Sequence, residues 1–296
     1  MLRECNCSQK VMIFLLHLTN LMSRIEKRFS DLASKNRKAL ITYVVAGDPS
    51  LDMTNTLMHE MVASGADLLE LGVPFSDPIA EGPIIQAAHE RALSNSVTLT
   101  QIFEVVSRFR RKDKDTPVVL MGYANPIERM GYEKFAMAAS DVGVDAVLTV
   151  DLPIEEIDFS SKIFAKVGLE SILLVAPTSS EERIHRITTK AEGFIYSVAL
   201  TGVTGDKNLD FNQVKNQVTS IRRFSNLPVV VGFGIKDADI AKSISSVSDG
   251  VVVGSAIVDC LAKKTFAPSI AIDNVKTLVS TIRDGMDGVA YDLQVD

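Results

Sequence analysis

The chain has 296 residues, of which 46% are hydrophobic and 23% charged, and its 31 basic and 37 acidic side chains give a net charge of −6. This composition excludes intrinsic disorder and low-complexity structure, and without a basic stripe neither nucleic acid nor a membrane is an expected partner. The three cysteines form no disulfide framework and the four histidines are scattered. We therefore expect a cytoplasmic protein without a metal site.

The first 21 residues are predicted to lie outside the fold. Their apolar stretch, 11–16, is far shorter than a membrane span, and no small-residue cleavage site of a signal peptide follows Leu18. Ser23 and Glu26 have the S-x-x-E spacing of a capping box, so a helix is predicted to begin there. We interpret residues 1–21 as a tail, which an upstream start codon would explain, and residues 22–296 as one domain.

From Met22 onward, short apolar runs alternate with amphipathic stretches. The runs are rich in Val, Ile and Leu and mostly uncharged, as strands buried on both faces are. The predicted strands are 40–45, 68–73, 117–121, 146–150, 171–175, 194–198, 228–231 and 250–253. Between them, 100–111 and 211–224 repeat apolar residues at three- and four-residue steps, which indicates helices.

Strands that alternate with helices predict a parallel sheet, either open and doubly wound or closed into a barrel. A doubly wound sheet usually binds phosphate at a glycine-rich turn after its first strand, and the turn at 46–49 lacks that motif. Glycine pairs come late instead, at 232–234 and 254–255, where many barrels bind phosphate. We predict an α/β fold: a single (β/α)8 TIM barrel with an extra N-terminal helix and an insertion after strand 2, which holds a helix at 84–94.

One carboxylate interrupts the second predicted strand. If Leu69 and Leu71 face the helices, Glu70 faces the barrel interior. Burial without a basic partner raises the pKa of a Glu above its usual value of about 4.3, which suits a group that exchanges protons near neutral pH. A structural arginine on another strand would neutralise it instead, but no predicted strand contains Lys or Arg. Glu70 is therefore a predicted catalytic residue.

The loop after this strand carries two more acids, Asp77 and Glu81. Either alone is more often a turn or cap residue, but beside an interior Glu one of them is a candidate second catalytic carboxylate. The loop at 201–206, rich in small residues, is expected to close over a ligand. The predicted strands hold no lysine for a Schiff base, and no metal ligands cluster in the sequence. The residues thus predict a phosphate-binding barrel with paired acids and leave its substrate open.

The segment 70–83, E-L-G-V-P-F-S-D-P-I-A-E-G-P, closely resembles the α subunit of tryptophan synthase. The likeness continues in order through 121–126, 151–153, 176–178, 202–205, 232–235 and 254–258. The resemblance implies a lyase of tryptophan biosynthesis that cleaves indole-3-glycerol phosphate to indole and glyceraldehyde 3-phosphate without a cofactor. It also implies a β subunit as partner in an α2β2 heterotetramer, with pyridoxal phosphate on β only. Docking is expected near the loops after strands two and three and at Pro153.

The resemblance also assigns roles to residues. Glu70 would protonate the indole ring and help to remove the glycerol hydroxyl proton, and Glu81 would accept a hydrogen bond from the indole N–H. The family usually has Asp at the second position, so Glu81 reaches one methylene further, and a misplacement near 1 Å can cost about 10²-fold in rate. The other implied residues are Gly205, Gly234, Gly254 and Ser255 for the phosphate, and Tyr43, Met121, Tyr123, Tyr196 and Thr204 for the rest of the substrate pocket.

Two functional interpretations of different classes remain. The chain is either a lyase that feeds indole to its partner or a regulatory subunit whose own site has decayed. The intact Glu70 and glycine loops favour the lyase, and Glu81 is the only feature that favours the regulatory subunit. Another phosphosugar barrel, such as a phosphoribosyl isomerase, would be favoured only if indole compounds failed to bind.

Overall fold

The computed structural model describes residues 22–199, 210–232, 234–262 and 267–288, so the predicted tail at 1–21 lies outside the described residues. The strands are β1 Ala39–Val45, β2 Leu68–Gly72, β3 Val118–Gly122, β4 Ala146–Thr149, β5 Glu170–Ser171, β6 Leu173–Val175, β7 Ile195–Val198, β8 Val229–Gly232 and β9 Gly250–Val253. The helices are α1 Arg24–Ser34, α2 Leu51–Ala63, α3 Pro83–Ser94, α4 Leu99–Arg110, α5 Ala124–Met130, α6 Tyr132–Asp141, α7 Ile157–Ala165, α8 Glu181–Thr188, α9 Phe211–Arg222, α10 Ala238–Ser245, α11 Ser255–Ala262 and α12 Pro268–Asp287.

The strands close into a parallel barrel. The hydrogen-bonded order is β5-β4-β3-β2-β1-β9-β8-β7-β6, and each pairing is parallel. The segments at the two ends, β5 and β6, are successive parts of one chain run, and the amide of Ile172 between them donates to the carbonyl of Val147 on β4 at 3.0 Å. Nine segments therefore form eight barrel strands, which confirms the predicted (β/α)8 barrel.

The predicted additions to the barrel are also present. Helix α1 begins at Arg24, directly after Ser23, whose hydroxyl accepts a hydrogen bond from the Glu26 amide at 3.0 Å. Its apolar face packs on the barrel interior, with the ring of Phe29 5.7 Å from that of Phe194. Helix α3 occupies the insertion after β2. The N-terminal helix thus covers the end of the barrel where the strands begin.

Two apolar layers share the strands, and their alternation decides where Glu70 points. Leu69 and Leu71 belong to the layer between the strands and the helices, whereas Leu68 belongs to the barrel interior. Side chains alternate along a strand, so Glu70 shares the inner face with Leu68. On β1, Tyr43 also belongs to the inner layer and pairs in register with Glu70.

A buried ion-pair network joins the N-terminal helix to the strands. The carboxylate of Asp145 accepts hydrogen bonds from Arg24 at 2.6 Å, from Arg110 at 2.7 Å and from the Val118 amide at 2.7 Å. Asp145→Ala removes the carboxylate that lies 2.7 Å from the buried Arg110 guanidinium, whose other acidic neighbour, Asp113, is at 3.9 Å. We therefore expect the free energy of unfolding to fall by about 3–5 kcal/mol in urea titrations.

The matched control is Arg223→Ala, which breaks an exposed ion pair with Glu181 (N–O distance 2.9 Å). Exposed pairs contribute at most about 1 kcal/mol, so this variant should unfold close to the wild type. Equal unfolding midpoints for the Asp145 and Arg223 variants would contradict a stabilising role of the buried network.

Candidate active site

A cavity of about 470 Å³ opens at the end of the barrel where the strands finish. This is the catalytic end of (β/α)8 barrels, because the loops that follow the strands meet there. Eight of the residues predicted from the sequence line it: Tyr43, Glu70, Glu81, Met121, Tyr196, Gly234, Gly254 and Ser255. The predicted residues Thr204 and Gly205, and the rest of the loop at 201–206, lie outside the described residues.

Glu70 is a buried carboxyl group without a basic partner. Its side chain is 2% exposed, and neither carboxyl oxygen has a hydrogen-bond partner among the described residues. Burial, and to a smaller degree the charge of Glu81, raises the pKa of Glu70 to about 8. Glu70 is therefore largely protonated at neutral pH and able to donate its proton to a bound substrate.

Glu81 is the second acid of the cavity. Its backbone is held on both sides. Its amide donates to the carbonyl of Pro78 at 3.1 Å, and its carbonyl accepts a hydrogen bond from the side-chain amide of Gln86 at 2.9 Å. Burial raises the pKa of Glu81 to about 7, so both charge states are populated near neutral pH. Asp77 is exposed instead and accepts a hydrogen bond from Ser76 at 2.6 Å. Of the two candidate acids in the loop, the structure thus brings only Glu81 into the cavity.

Two tyrosines stand beside these carboxyl groups, each over a glycine of a neighbouring strand. Tyr43 lies over Gly72 and Tyr196 over Gly232, and a Cβ atom at either glycine would collide with the phenol oxygen. Burial, together with Glu70 and Glu81, raises the pKa of both phenols well above the usual value, so both remain protonated. Each phenol is therefore a hydrogen-bond donor at the cavity.

The structure places Tyr123 behind the catalytic loop, the segment 73–82 that carries Glu81, and not among the residues that line the cavity. Its side chain is 2% exposed, and its hydroxyl accepts a hydrogen bond from the Ala80 amide at 3.1 Å. Its ring stacks on Phe75, with 4.9 Å between the centroids. Tyr123 thus fixes the loop that carries Glu81.

Helix α11 offers an anion-binding site at the cavity wall. It begins at Ser255, and the Gly254 carbonyl accepts the Val258 amide at 3.0 Å. The first amides of a helix have no acceptor within the helix, and the helix dipole favours a negative charge there. Together with Gly234, this wall can hold a phosphate group.

Sequence reasoning missed the apolar walls of the cavity and one histidine. The walls include Ile85, Val150, Leu174, Val198, Ile235 and Val252. Several of these belong to the apolar strand runs, so their residue types do not distinguish a pocket from a core. His89 on α3 is buried next to Tyr43 and the loop after β2, and only these tertiary contacts reveal its position.

The chain matches a family model described as tryptophan synthase alpha chain over residues 29–287. The chain belongs to the tryptophan synthase alpha chain family. It is 53% identical to the alpha chain of Thioalkalivibrio sulfidiphilus over 266 residues, which are 90% of this chain and 100% of that relative. It is 48% identical to that of Marinobacter nauticus over 270 residues, or 91% of this chain and 100% of the relative.

Solved structures of alpha chains share the fold. The crystal structure of tryptophan synthase subunit alpha from Legionella pneumophila superposes with a TM-score of 0.84 at 42% identity, covering 90% of this chain and 100% of that one. A tryptophan synthase complex from Pyrococcus furiosus gives a TM-score of 0.74 at 33% identity, over 82% of this chain and 97% of that one.

Alpha chains of tryptophan synthase are lyases that cleave indole-3-glycerol phosphate, and this chain is a lyase of that kind. The family needs no cofactor of its own. The family model, matched over residues 29–287, covers every residue that lines the cavity. Among the described residues, no helix is both long and apolar enough to cross a bilayer.

Proposed function

We propose that Glu70 and Glu81 perform the cleavage of indole-3-glycerol phosphate in this cavity. The observation that carries the proposal is the pair of carboxyl groups, with pKa values of about 8 and about 7, at one apolar cavity beside a helix N-terminus. An apolar cavity suits the indole ring, and the helix N-terminus suits the phosphate.

Glu70 acts first as an acid and then as a base. The protonated carboxyl group gives its proton to ring carbon C3, and the ring becomes an indoleninium cation. The resulting carboxylate then takes the proton of the glycerol hydroxyl next to the ring. The oxygen electron pair forms the aldehyde, the carbon–carbon bond breaks, and its electrons restore the indole. Glu70 ends protonated, so the cycle needs no other proton source.

Glu81 and the walls of the cavity hold the substrate for these steps. Ionised Glu81 accepts a hydrogen bond from the ring N–H and stabilises the positive charge that develops on the indole. Met121 and Tyr196 line the same cavity and would contact the substrate. The phosphate rests on Gly234, Gly254 and Ser255. From the part of the chain that is not described, the resemblance adds Gly205 to this phosphate site and Thr204 to the rest of the substrate pocket.

We also infer a partner and a location. A β subunit that carries pyridoxal phosphate would consume the indole in an α2β2 heterotetramer, and the likeness to the Pyrococcus furiosus tryptophan synthase complex supports this assembly. The loops after β2 and β3, with Pro153, would form the docking face. As a biosynthetic enzyme whose three cysteines give no disulfide framework in the sequence, the chain would work in the cytoplasm.

The test is release of indole from indole-3-glycerol phosphate by the purified chain, with and without the β subunit. We expect turnover by the chain alone and a higher rate with the partner. If neither condition releases indole while the chain still stimulates the serine reaction of the β subunit, the regulatory interpretation replaces the lyase. Failure to bind indole compounds would favour another phosphosugar reaction.

A further inference from the structure

His89 joins the loop that carries Glu81 to the phenol of Tyr43. The imidazole is 2% exposed. Its Nδ1 accepts a hydrogen bond from the Phe75 amide at 3.0 Å, and its Nε2 lies 3.4 Å from the Tyr43 hydroxyl oxygen. The ring therefore contacts the start of the catalytic loop through one nitrogen and a tyrosine of the cavity wall through the other.

The helix that carries His89 is itself held in place. Arg91, two residues further along α3, donates two hydrogen bonds to the buried carboxylate of Asp48, each 2.7 Å long. Asn95, just beyond the last residue of the helix, donates to the carbonyls of Gly47 at 3.3 Å and Pro49 at 2.7 Å. These contacts anchor α3 to the loop after β1, so the position of the imidazole relative to β1 is set by several bonds.

The two contacts determine which nitrogen of His89 carries the proton. A backbone amide can only donate, so Nδ1 must present its lone pair to Phe75. Burial lowers the pKa of His89 to about 4, so the ring is neutral and its single proton lies on Nε2. Nε2–H then donates to the Tyr43 oxygen, and the proton of the phenol is left to point at a different acceptor.

Tyr43 and Glu81 line the same cavity, and the phenol proton that His89 does not use is available to a carboxyl group there. The titratable groups whose charges raise the pKa of Tyr43 are, from the largest effect to the smallest, Glu81, Glu70, Tyr123 and Tyr196. The two other tyrosines remain protonated because their pKa values are raised, and Glu70 is largely protonated at neutral pH. A hydrogen bond from the phenol would favour the ionised form of Glu81, since donation to a carboxylate stabilises its charge.

We propose that His89 is a positioning residue that fixes Tyr43 as a hydrogen-bond donor to Glu81, which favours the ionised form of this carboxylate and holds it toward the substrate. The proposal rests on the proposed function, in which Glu81 accepts the indole N–H. His89 does not line the cavity. It acts only through Tyr43 and the loop.

The first test needs no substrate, so its result is independent of the proposed function. Long-range ¹H–¹⁵N spectra of the chain labelled at its four histidines report which ring nitrogen bears the proton. The His89 signals are those absent from His89→Asn. We expect a neutral Nε2–H tautomer from pH 6 to 8. An Nδ1–H tautomer, or a ring that becomes charged in this range, would overturn the proposal.

The second test separates the two contacts of the ring with a matched pair of variants. In His89→Asn, the side-chain oxygen can replace Nδ1 as acceptor for Phe75, but nothing reaches Tyr43. In His89→Gln, the longer amide can replace Nε2 as donor to Tyr43, but the acceptor for Phe75 is lost. Indole release is followed over pH for both variants and for Tyr43→Phe.

For His89→Asn and Tyr43→Phe, we expect kcat to fall about 10-fold, the size of one hydrogen bond to a charged group. The acid limb of kcat/KM should move up by about half to one pH unit, because Glu81 ionises less readily. For His89→Gln, the limb should stay and KM should rise, because the loop loosens.

The double variant supplies the decisive comparison. Because both residues act through one hydroxyl group, His89→Asn in the Tyr43→Phe background should change kcat less than about 2-fold. Additive losses, or an acid limb that none of the variants moves, would show a purely structural role for His89 and overturn the proposal. If the variants unfold at the same temperature as the wild type, misfolding is excluded as the cause of a loss of activity.

Discussion

Glu70→Gln should lower kcat by about 10³-fold or more, because one carboxyl group both gives the proton to the ring and takes the proton of the hydroxyl. Glutamine has nearly the same shape but does neither. The measurement is indole release in the presence of the β subunit, where wild-type turnover is expected to be highest. Retention of more than a tenth of the wild-type rate would assign the proton transfers to another group.

The same variant should be more stable than the wild type at alkaline pH, which separates lost chemistry from lost structure. The pKa of Glu70 is about 8 in the folded chain, against about 4.3 for a free side chain. The folded state therefore holds this proton more tightly, and as pH rises through this window the wild type loses about 1.36 kcal/mol of stability per pH unit from this group. Glutamine does not titrate, so the advantage of the variant should grow from pH 5 to 8. A stability difference between the variant and the wild type that does not change with pH would contradict a buried, unpaired carboxyl group at Glu70.

Glu81 variants should show the next largest effect, because this carboxylate faces the charge that develops on the ring. Glu81→Gln keeps the size of the side chain and removes its charge, so we expect kcat to fall by about 10²–10³-fold. Single-turnover rates of indole formation, measured beside KM, show whether the chemical step is the one affected.

Glu81→Asp tests whether the pocket has adapted to the longer acid. The backbone of Glu81 is held by Pro78 and Gln86, so a shorter side chain withdraws the carboxylate by about 1 Å, and the rate should fall by up to about 10²-fold. A variant faster than the wild type would mean that Glu81 is misplaced, and would revive the regulatory interpretation.

The function could be predicted from the ordered sequence motifs, and not from the pattern of burial and charge alone. Buried carboxylate, glycine pairs and missing lysines led only to a phosphate-binding barrel with paired acids. The similarity of 70–83 and the later segments supplied the substrate, and the family match at 29–287 confirmed it. The structure then shows that Glu81, and not Asp77, faces the cavity, although both are acidic residues of the same loop.

The sequence by itself determined the barrel and the direction of Glu70. Strand periodicity is local, so alternation of Leu69, Glu70 and Leu71 was enough to turn the carboxyl inward, and the lack of basic residues in the strands was enough to leave it unpaired. The late glycine loops were also visible, because tight turns need glycine wherever they occur.

Only the tertiary structure decided which side chains support these residues. Tyr123 meets the loop through Ala80, and His89 meets Tyr43 across 46 positions of the chain, contacts that no local pattern encodes. Closure through Ile172 likewise depends on strands that are distant in sequence. Periodicity reports which face of an element is buried, but the partner on that face is chosen by packing of the whole barrel.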